Sequence, residues 1–308
     1  MNISQGLPSA PLPQWPVLTI GNFDGQHRGH HHLLSSVVSL AQARNGTPMV
    51  LTFDPHPIQV LRPGMNLRFL SPPSEKFHWF EHMGVSHVVV LPFTIAFAEL
   101  SPQGFVYQIL RDGIGVREIL VGSKFVFGKG RAGNIDMLHQ LAQKAGFQVH
   151  SIDPINVGDV VVSSTRIRRL VHAGEMEEAQ DCLGRPFSLA GLVIEGAQRG
   201  AALGYRTANL RLPTGRVIPP DGVYVTRTIW QGLSLDSVSY IGTRPTFGEG
   251  ERRLEVHLLD QECALYGEEI TIQFMKRLRG DQTFETADDL SARIALDVRL
   301  AKDVLSRC

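Results

Sequence analysis

The sequence has few of the features that mark secreted, membrane or nucleic-acid-binding proteins. Its three cysteines form no Cys-x-x-Cys pair and no even set that could build a disulfide framework. The apolar runs are as short as β-strands, far below the roughly 20 residues that a membrane helix needs. Thirty basic residues balance thirty acidic ones, so net charge gives no indication of a nucleic-acid surface. The amino terminus lacks a basic segment followed by an apolar one, so we expect no signal peptide, no membrane partner and a cytoplasmic location.

The chain does contain enough apolar material for two cores, since 43% of its 308 residues are hydrophobic. Strand and helix patterns alternate through the first half, which predicts βαβ units and a parallel sheet. After about residue 185 the segments become short and β-like, which predicts a small antiparallel barrel closed by one C-terminal helix. We therefore expect an α/β domain over 1–185 and a β-barrel domain over 186–308. We also expect a loose arm before Val17 and a single helix over 164–184.

The stretch GNFDGQHRGHHHLL (21–34) joins the end of an apolar run to the start of a helical pattern. Phosphates bind at such places, because free backbone N–H groups and the helix dipole converge there. Glycine also lets the backbone approach a ligand closely. His27 and His30 flank Gly29 in an HxGH pattern and could donate hydrogen bonds to a phosphate whose negative charge grows during transfer.

Metal binding is the competing interpretation of these histidines. A zinc site needs about four ligands, and the consecutive side chains of 30–32 point in different directions on a helix. We therefore interpret His31 and His32 as helix residues. HWFEH (78–82) matches a metalloprotease string but has no evident third ligand, so we interpret it as a helix packed on the sheet. The glycines at 122–128 are spaced too far apart for a Walker A loop.

A second motif, VVSSTRIRRL (161–170), follows a strand and opens a helix. Its hydroxyls could simply cap that helix, with the arginines on a solvated face. Hydroxyls and arginines at a helix N-terminus could equally form a second phosphate clamp. The residues alone leave both interpretations open.

Taken in order, these motifs resemble those of a known enzyme family. HxGH and SSTRIR together are similar to the nucleotidyltransferase superfamily. TFDPHP (52–57), LSP with Phe105, and VGSKFVFGKGRAGN (121–134) extend the resemblance to the adenylyltransferase half of the prokaryotic bifunctional riboflavin kinase/FAD synthetases. The resemblance implies a Rossmann-like fold and the adenylylation of FMN by ATP, with pyrophosphate as the leaving group. Lys124 departs from the family, which usually has an acidic or amide residue there.

The resemblance also implies roles for individual residues. His27 and His30 would stabilise the α-phosphate of ATP during transfer. The other ATP-binding residues would be Gly21, Phe23, Asp24, Gly25, Ser164, Thr165 and Arg168. The flavin side would be formed by Pro55, His56, Pro57 and Lys124.

The second half resembles the riboflavin kinase domain of the same family. Three segments carry this resemblance: 183–213 with the string TAN, IGTRPTFGEGERRLEVHLLD (241–260) and LYGEEITIQF (265–274). It implies that Glu255 is the general base for the 5′-hydroxyl of riboflavin. The nucleotide would be bound by Gly200, Gly204, Thr207 and Asn209, of which Thr207 and Asn209 would also hold Mg²⁺. A solvent-facing strand position is the alternative interpretation of Glu255.

Four residues of this half depart from the family pattern, in which arginine, phenylalanine, proline and asparagine are usual. They are Ala201, Tyr205, Arg206 and Tyr240. Losing the arginine and the rigid proline would weaken kinase activity, whereas Arg206 would restore the lost charge nearby.

Four functional hypotheses follow. The first is a bifunctional enzyme that phosphorylates riboflavin to FMN and adenylylates FMN to FAD, with Mg²⁺ as cofactor and riboflavin, FMN and ATP as substrates. The second is an FAD synthetase with a degenerate kinase domain. The third is a non-enzymatic flavin or nucleotide sensor, and the fourth, which rests on Lys124, is a nucleotidyltransferase for another phosphate ester.

Overall fold

The computed structural model describes residues 1–8, 14–195, 205–243, 252–261 and 263–307. The chain divides into two compact units, Met1–Ser164 and Thr165–Cys308. In the described ranges no helix is long and apolar enough to span a membrane.

The first unit is built on a six-stranded parallel sheet, as the alternating pattern predicts. Its strands are β1 (Asn2–Gln5), β2 (Pro16–Ile20), β3 (Thr47–Asp54), β4 (His87–Pro92), β5 (Glu118–Gly122) and β6 (Gln148–Ile152). Their order is β1-β4-β3-β2-β5-β6, and every neighbouring pair is parallel. The strand order reverses beside β2, and in open parallel sheets ligands bind beyond the carboxyl ends of the strands at such a point.

The prediction of a loose N-terminal arm is wrong for its first residues. Asn2 to Gln5 pair in parallel with His87 to Val90 and form the outer strand of the sheet. The pattern of prolines and serines does not reveal this strand, because its hydrogen bonds are made to residues more than eighty positions away.

Helices cover the sheet and connect its strands. They are α1 (Arg28–Ala43), α2 (Pro57–Leu61), α3 (Pro73–His82), α4 (Ile95–Ala98), α5 (Pro102–Gly104), which continues as π-helix over Phe105–Ile114, a 3-10 turn (Lys129–Arg131) and α6 (Ile135–Ala145). In α1 the apolar residues Leu34, Val37 and Ala41 recur every three or four positions and are fully buried. Two short strands, β7 (Asn156–Val157) and β8 (Val160–Val161), precede the helix that begins at Ser164.

The second unit is a closed antiparallel barrel with three helices. These helices are α7 (Ser164–Ala173), whose first residue is the last of the first unit, α8 (Met176–Leu183) and α9 (Ala287–Leu305). The strands are β9 (Phe187–Ile194), β10 (Ala208–Arg211), β11 (Gly222–Trp230), β12 (Leu233–Thr243), β13 (Arg252–Leu258) and β14 (Glu269–Gly280), closed in the order β10-β13-β12-β11-β14-β9. The barrel and its C-terminal helix confirm the predicted fold class.

One strand of this unit is hard to recognise in the sequence, and one helix differs from the sequence prediction. The four-residue β10 is too short to show a clear alternating pattern. The single helix expected over 164–184 is two helices. Gly174 separates them with a φ of +86°, and a Cβ there would lie 2.7 Å from Cδ of Arg277.

Candidate active site

The loop between β2 and α1 is held in a shape that depends on its glycines. Gly21 N–H donates to Leu51 O at 3.1 Å, so the loop leaves the sheet directly beside β3. Phe23, Gly25 and Gln26 all have positive φ, at 54°, 84° and 40°. At Gly25 a Cβ would lie only 2.7 Å from Cδ1 of Leu70, so a side chain is excluded there. This tight turn delivers His27 to the N-terminus of α1.

Asp24 fixes this loop to two other segments. Its buried carboxylate accepts from Leu70 N–H at 3.0 and 3.1 Å and from Ser71 N–H at 3.2 Å. Its backbone carbonyl accepts the hydroxyl of Ser164 at 2.8 Å. The structure therefore brings the loop and the first residue of the SSTRIR helix together, while the Asp24 carboxylate is engaged by backbone N–H groups.

His27 and His30 form a stacked pair at the start of α1. Their ring centroids lie 3.6 Å apart with an interplanar angle of 16°. Nδ1 of His27 caps the helix by accepting from His30 N–H at 3.3 Å. Nδ1 of His30 is buried and has no hydrogen-bond partner among the described residues. An unpartnered buried ring nitrogen at a helix N-terminus is consistent with a ligand-binding group.

Electrostatics favour the neutral form of His30 in the free protein. Burial lowers the pKa of His30 well below 6.5, and the neighbouring His27 and His31 lower it further. A neutral imidazole still donates one hydrogen bond, and a bound phosphate would favour its protonation by supplying negative charge.

Two aromatic contacts lie next to the His27–His30 pair: Phe23 contacts His30, and His31 contacts Trp79. His31 Nε2 accepts the indole N–H of Trp79 at 3.0 Å. The Phe23 ring, 1% exposed, lies 5.1 Å from the His30 ring and 5.2 Å from that of Phe80. The Phe23 side chain thus belongs to the apolar cluster under the site. Across the described residues there is no group of three or more His, Cys, Asp or Glu side chains that could hold a metal ion.

The predicted flavin residues follow the carboxyl ends of β3 and β5, the strands on either side of β2. His56 caps α2, with Nδ1 accepting from Ile58 N–H at 3.2 Å, and Pro57 occupies the first turn. The His56 ring meets Phe69 edge-on at 5.8 Å. Lys124 is exposed on the loop after β5.

Two further polar groups lie at this edge of the sheet, and the sequence alone did not single them out. Oδ1 of Asn22 is buried and has no partner among the described residues. Nζ of Lys76 donates to the hydroxyl of Thr52 at 3.3 Å. Asn22 stands inside the glycine motif, which is a usable signal, whereas nothing in the pattern of α3 marks Lys76.

The residues that follow Ser164 lie in the second compact unit. Thr165 is exposed and Arg168 is half-buried on α7. Arg166 on α7 forms a long ion pair with Glu178 on α8, with 4.0 Å between the guanidinium nitrogen and the carboxylate oxygen.

Two predicted kinase residues, Asn209 and Glu255, lie side by side on adjacent strands of the barrel, with Tyr240 on the next strand. Asn209 on β10 pairs directly with Glu255 on β13, and Glu255 pairs with Tyr240 on β12. Directly opposed residues of antiparallel strands project to the same face. Asn209 is 3% exposed, and its Oδ1 has no hydrogen-bond partner among the described residues. Its Nδ2 donates to the backbone carbonyl of Thr207 at 3.4 Å.

Tyr240 stands where the family usually has an asparagine, and it lies at the end of the row Asn209–Glu255–Tyr240. Its hydroxyl donates to Asp281 at 2.9 Å. Burial, followed by the hydrogen bond to Asp281, raises the pKa of Tyr240 and keeps the phenol protonated. The ring lies over Gly242, where a Cβ would collide with the hydroxyl.

Of the other three residues that depart from the family pattern, the structure describes Tyr205 and Arg206. The Arg206 side chain is exposed, and its backbone carbonyl accepts from Nδ1 of His257 at 2.8 Å. The Tyr205 ring contacts His257 edge-on at 5.4 Å. Gly200, Ala201 and Gly204 lie outside the described residues.

Comparisons with known proteins agree with this two-part arrangement. Residues 11–166 match the FAD synthetase family, and residues 183–305 match the riboflavin kinase family. A crystal structure described as a macrolide-efflux protein from Streptococcus pneumoniae superposes with a TM-score of 0.88 at 27% identity, covering 98% of this chain and 99% of that chain.

Curated relatives cover nearly the whole chain. The bifunctional riboflavin kinase/FMN adenylyltransferase of Escherichia coli K12 is 36% identical over 93% of this chain and 92% of its own length. The proteins of the same name from Pseudomonas fluorescens and Bacillus subtilis are 37% and 33% identical, over 93% and 91% of this chain and 92% and 90% of their own lengths. This chain belongs to the bifunctional riboflavin kinase/FMN adenylyltransferase family.

Proposed function

We propose that this protein makes FAD in two steps, phosphorylating riboflavin to FMN and then adenylylating FMN. The stacked His27–His30 pair carries the second step, because its unpartnered ring nitrogen lies at a helix N-terminus that Asp24 ties to the SSTRIR motif. The assignment of the two steps to 1–185 and 186–308, and a cytoplasmic location, are part of this proposal.

In adenylyl transfer, an oxygen of the FMN phosphate attacks the α-phosphorus of ATP. The bond from that phosphorus to the bridging oxygen of the β-phosphate breaks, and pyrophosphate leaves. His27 and His30 donate hydrogen bonds to the α-phosphate oxygens, where negative charge accumulates in the transition state. The N-terminus of α1 adds its backbone N–H groups and dipole.

The surrounding residues orient the two substrates. Gly21, Phe23, Asp24 and Gly25 act mainly through the backbone of the loop, since the Asp24 carboxylate and the Phe23 ring are engaged elsewhere. Ser164, Thr165 and Arg168 bind the ATP phosphates. The flavin is contacted by Pro55, His56, Pro57 and Lys124.

In the kinase step, the 5′-hydroxyl of riboflavin attacks the γ-phosphorus of ATP and ADP leaves. Glu255 accepts the hydroxyl proton, as a carboxylate within hydrogen-bond reach can. Gly200 and Gly204 are assigned to the nucleotide from the sequence motif alone.

Asn209 and Thr207 fit Mg²⁺ as its protein ligands. The unpartnered, buried Oδ1 of Asn209 is an oxygen donor of the kind that Mg²⁺ prefers, and the Thr207 hydroxyl is another. When bound, the ion supplies positive charge that offsets the charge of the transferred phosphoryl group.

A product assay tests the proposal. Purified protein is incubated with ATP and Mg²⁺ together with either riboflavin or FMN, and the flavins are separated by chromatography. We expect FMN and FAD from riboflavin, and FAD from FMN. Absence of FAD in both reactions would refute the proposal, and turnover of a different phosphate ester in its place would support the nucleotidyltransferase alternative.

The structure gives one reason to keep a second candidate, an FAD synthetase without kinase activity. The Tyr240–Asp281 hydrogen bond occupies the end of the row that contains Glu255. This candidate predicts FAD from added FMN and no flavin product from riboflavin, and the same assay therefore separates it from the bifunctional enzyme.

A further inference from the structure

Lys76 is a half-buried lysine at the carboxyl edge of the central strands. It stands on α3, and its ammonium donates to the hydroxyl of Thr52, which is 0% exposed. Thr52 directly follows Leu51, the residue whose carbonyl accepts from Gly21 N–H at the start of the glycine loop. The amine therefore contacts β3 next to the residue that fixes the glycine loop and two residues before the strand ends at Asp54.

Within the described residues, the Lys76 ammonium makes one side-chain hydrogen bond and has donors left for a ligand. An ammonium has three N–H donors, and the described acceptor is the neutral Thr52 hydroxyl. The Phe77 ring lies 5.5 Å from Nζ, and no carboxylate lies within ion-pair distance among the described residues. Burial lowers the pKa of Lys76, while the more distant Asp54 and Asp24 raise it in part.

A positive charge at such a position favours adenylyl transfer. Adenylyl transfer brings the phosphate of FMN against the triphosphate of ATP, so two anions must approach each other closely. His30 favours its neutral form in the free protein and donates a hydrogen bond without cancelling that charge. A lysine held by a buried hydroxyl brings a full positive charge and two further donors.

We propose that Lys76 is a phosphate-binding catalytic residue of the adenylyl transfer site, aimed by Thr52 at the phosphate oxygens where the two substrates meet. The proposal rests on the function proposed above. Its ligand chemistry is a phosphate oxygen, supplied by FMN or by ATP.

Lys76→Met removes the charge and keeps the length of the side chain. We expect kcat/KM for FAD formation to fall roughly 100-fold, the usual effect of losing one fixed donor to a developing phosphate charge. Lys76→Arg should recover part of that loss, because it retains the charge. Thr52→Val should lower FAD formation about fivefold, since it removes one aiming hydrogen bond.

Separate titrations of FMN and ATP identify the phosphate that Lys76 binds. A rise in KM for FMN with an unchanged KM for ATP assigns the flavin phosphate, and the reverse assigns the triphosphate. Lys144→Met, an exposed lysine on α6, is the matched control and should retain wild-type kinetics.

Two measurements decide between phosphate binding and a structural role. The melting temperature and the formation of FMN from riboflavin should be the same in Lys76→Met and wild type. FAD kinetics equal to wild type, or a loss that accompanies a lower melting temperature, would overturn the assignment. If wild type itself makes no FAD, the proposed function fails and this inference fails with it.

Discussion

At the residue scale, the site depends on side chains whose partners differ from what their motif indicates. Asp24 belongs to a motif predicted to bind ATP, yet its carboxylate accepts hydrogen bonds from the N–H groups of Leu70 and Ser71. His30 is the opposite case, because its Nδ1 is buried without a partner in the described structure. Among the described residues, unpartnered buried polar atoms lie on His30 and Asn22 beside the glycine loop and on Asn209 in the barrel, and of these three only His30 and Asn209 were predicted.

Changing His30 to alanine separates catalysis from binding. We expect kcat for FAD formation to fall by about 10²–10³, because a donor to the α-phosphate is lost. ATP affinity should change little, since the loop backbone and the α1 N-terminus remain. The measurement is steady-state FAD formation with a parallel ATP titration by calorimetry.

His32→Ala is the control for that change, because His32 is exposed on the same helix. It should leave both FAD formation and ATP affinity as in wild type. Full turnover by His30→Ala would show that the pair binds without catalysing, as in a flavin or nucleotide sensor.

At the scale of elements, the sheet is stabilised at the end opposite the site by a buried carboxylate. Glu118, at the start of β5, accepts from Trp15 at 3.0 Å, Arg44 at 2.7 Å and His150 at 2.8 Å. Burial acts to raise the pKa of Glu118, but hydrogen bonds from His150, Trp15 and Arg44 outweigh it, so the pKa is lowered. This cluster links β5 and β6 to α1 and to the segment before β2.

Glu118→Gln should lower the free energy of unfolding by about 2 kcal/mol, because it removes charge-assisted hydrogen bonds from a fully buried group. Chemical denaturation at neutral pH measures this. Asp112→Asn, which alters an exposed ion pair with Arg111, should leave the free energy of unfolding close to that of wild type.

The same carboxylate makes stability depend on pH. A lowered carboxyl pKa contributes stability that is fully present above the ordinary value of 4.5 and is lost as pH falls through the folded-state pKa. The difference in stability between wild type and Glu118→Gln should therefore shrink in acid. A difference that stays constant from neutral pH to pH 3 would contradict the assignment.

At the scale of the whole molecule, the chain has two compact units, and we propose that each carries one of the two reactions. His27 and His30 belong to the parallel sheet, and Asn209 and Glu255 belong to the barrel. In the proposed function FMN is the product of one unit and the substrate of the other, so each activity is measurable separately in the intact protein.

Single changes in each unit should affect one reaction only. Glu255→Gln should abolish FMN formation from riboflavin. FAD formation from added FMN should continue, because Glu255 takes no part in the proposed adenylyl transfer. His30→Ala should show the reverse, with FMN accumulating from riboflavin. Loss of both products in Glu255→Gln would contradict the division of roles.

The sequence by itself determined the fold class, the motif order and the identity of the paired histidines. These are local properties: strands and helices follow from spacings of two and about 3.6 residues, and a glycine turn before a helix is visible within ten residues. The resemblance to the family rests on the same short motifs, and the comparisons confirm it.

Only the tertiary structure decided which groups meet. The β1 strand pairs with residues far along the chain, the row Asn209–Glu255–Tyr240 depends on strand register, and Lys76 reaches Thr52 across two elements. The Asp24 carboxylate likewise binds a segment more than forty residues away. Such contacts depend on packing of the whole unit, and spacing along the chain carries no information about them.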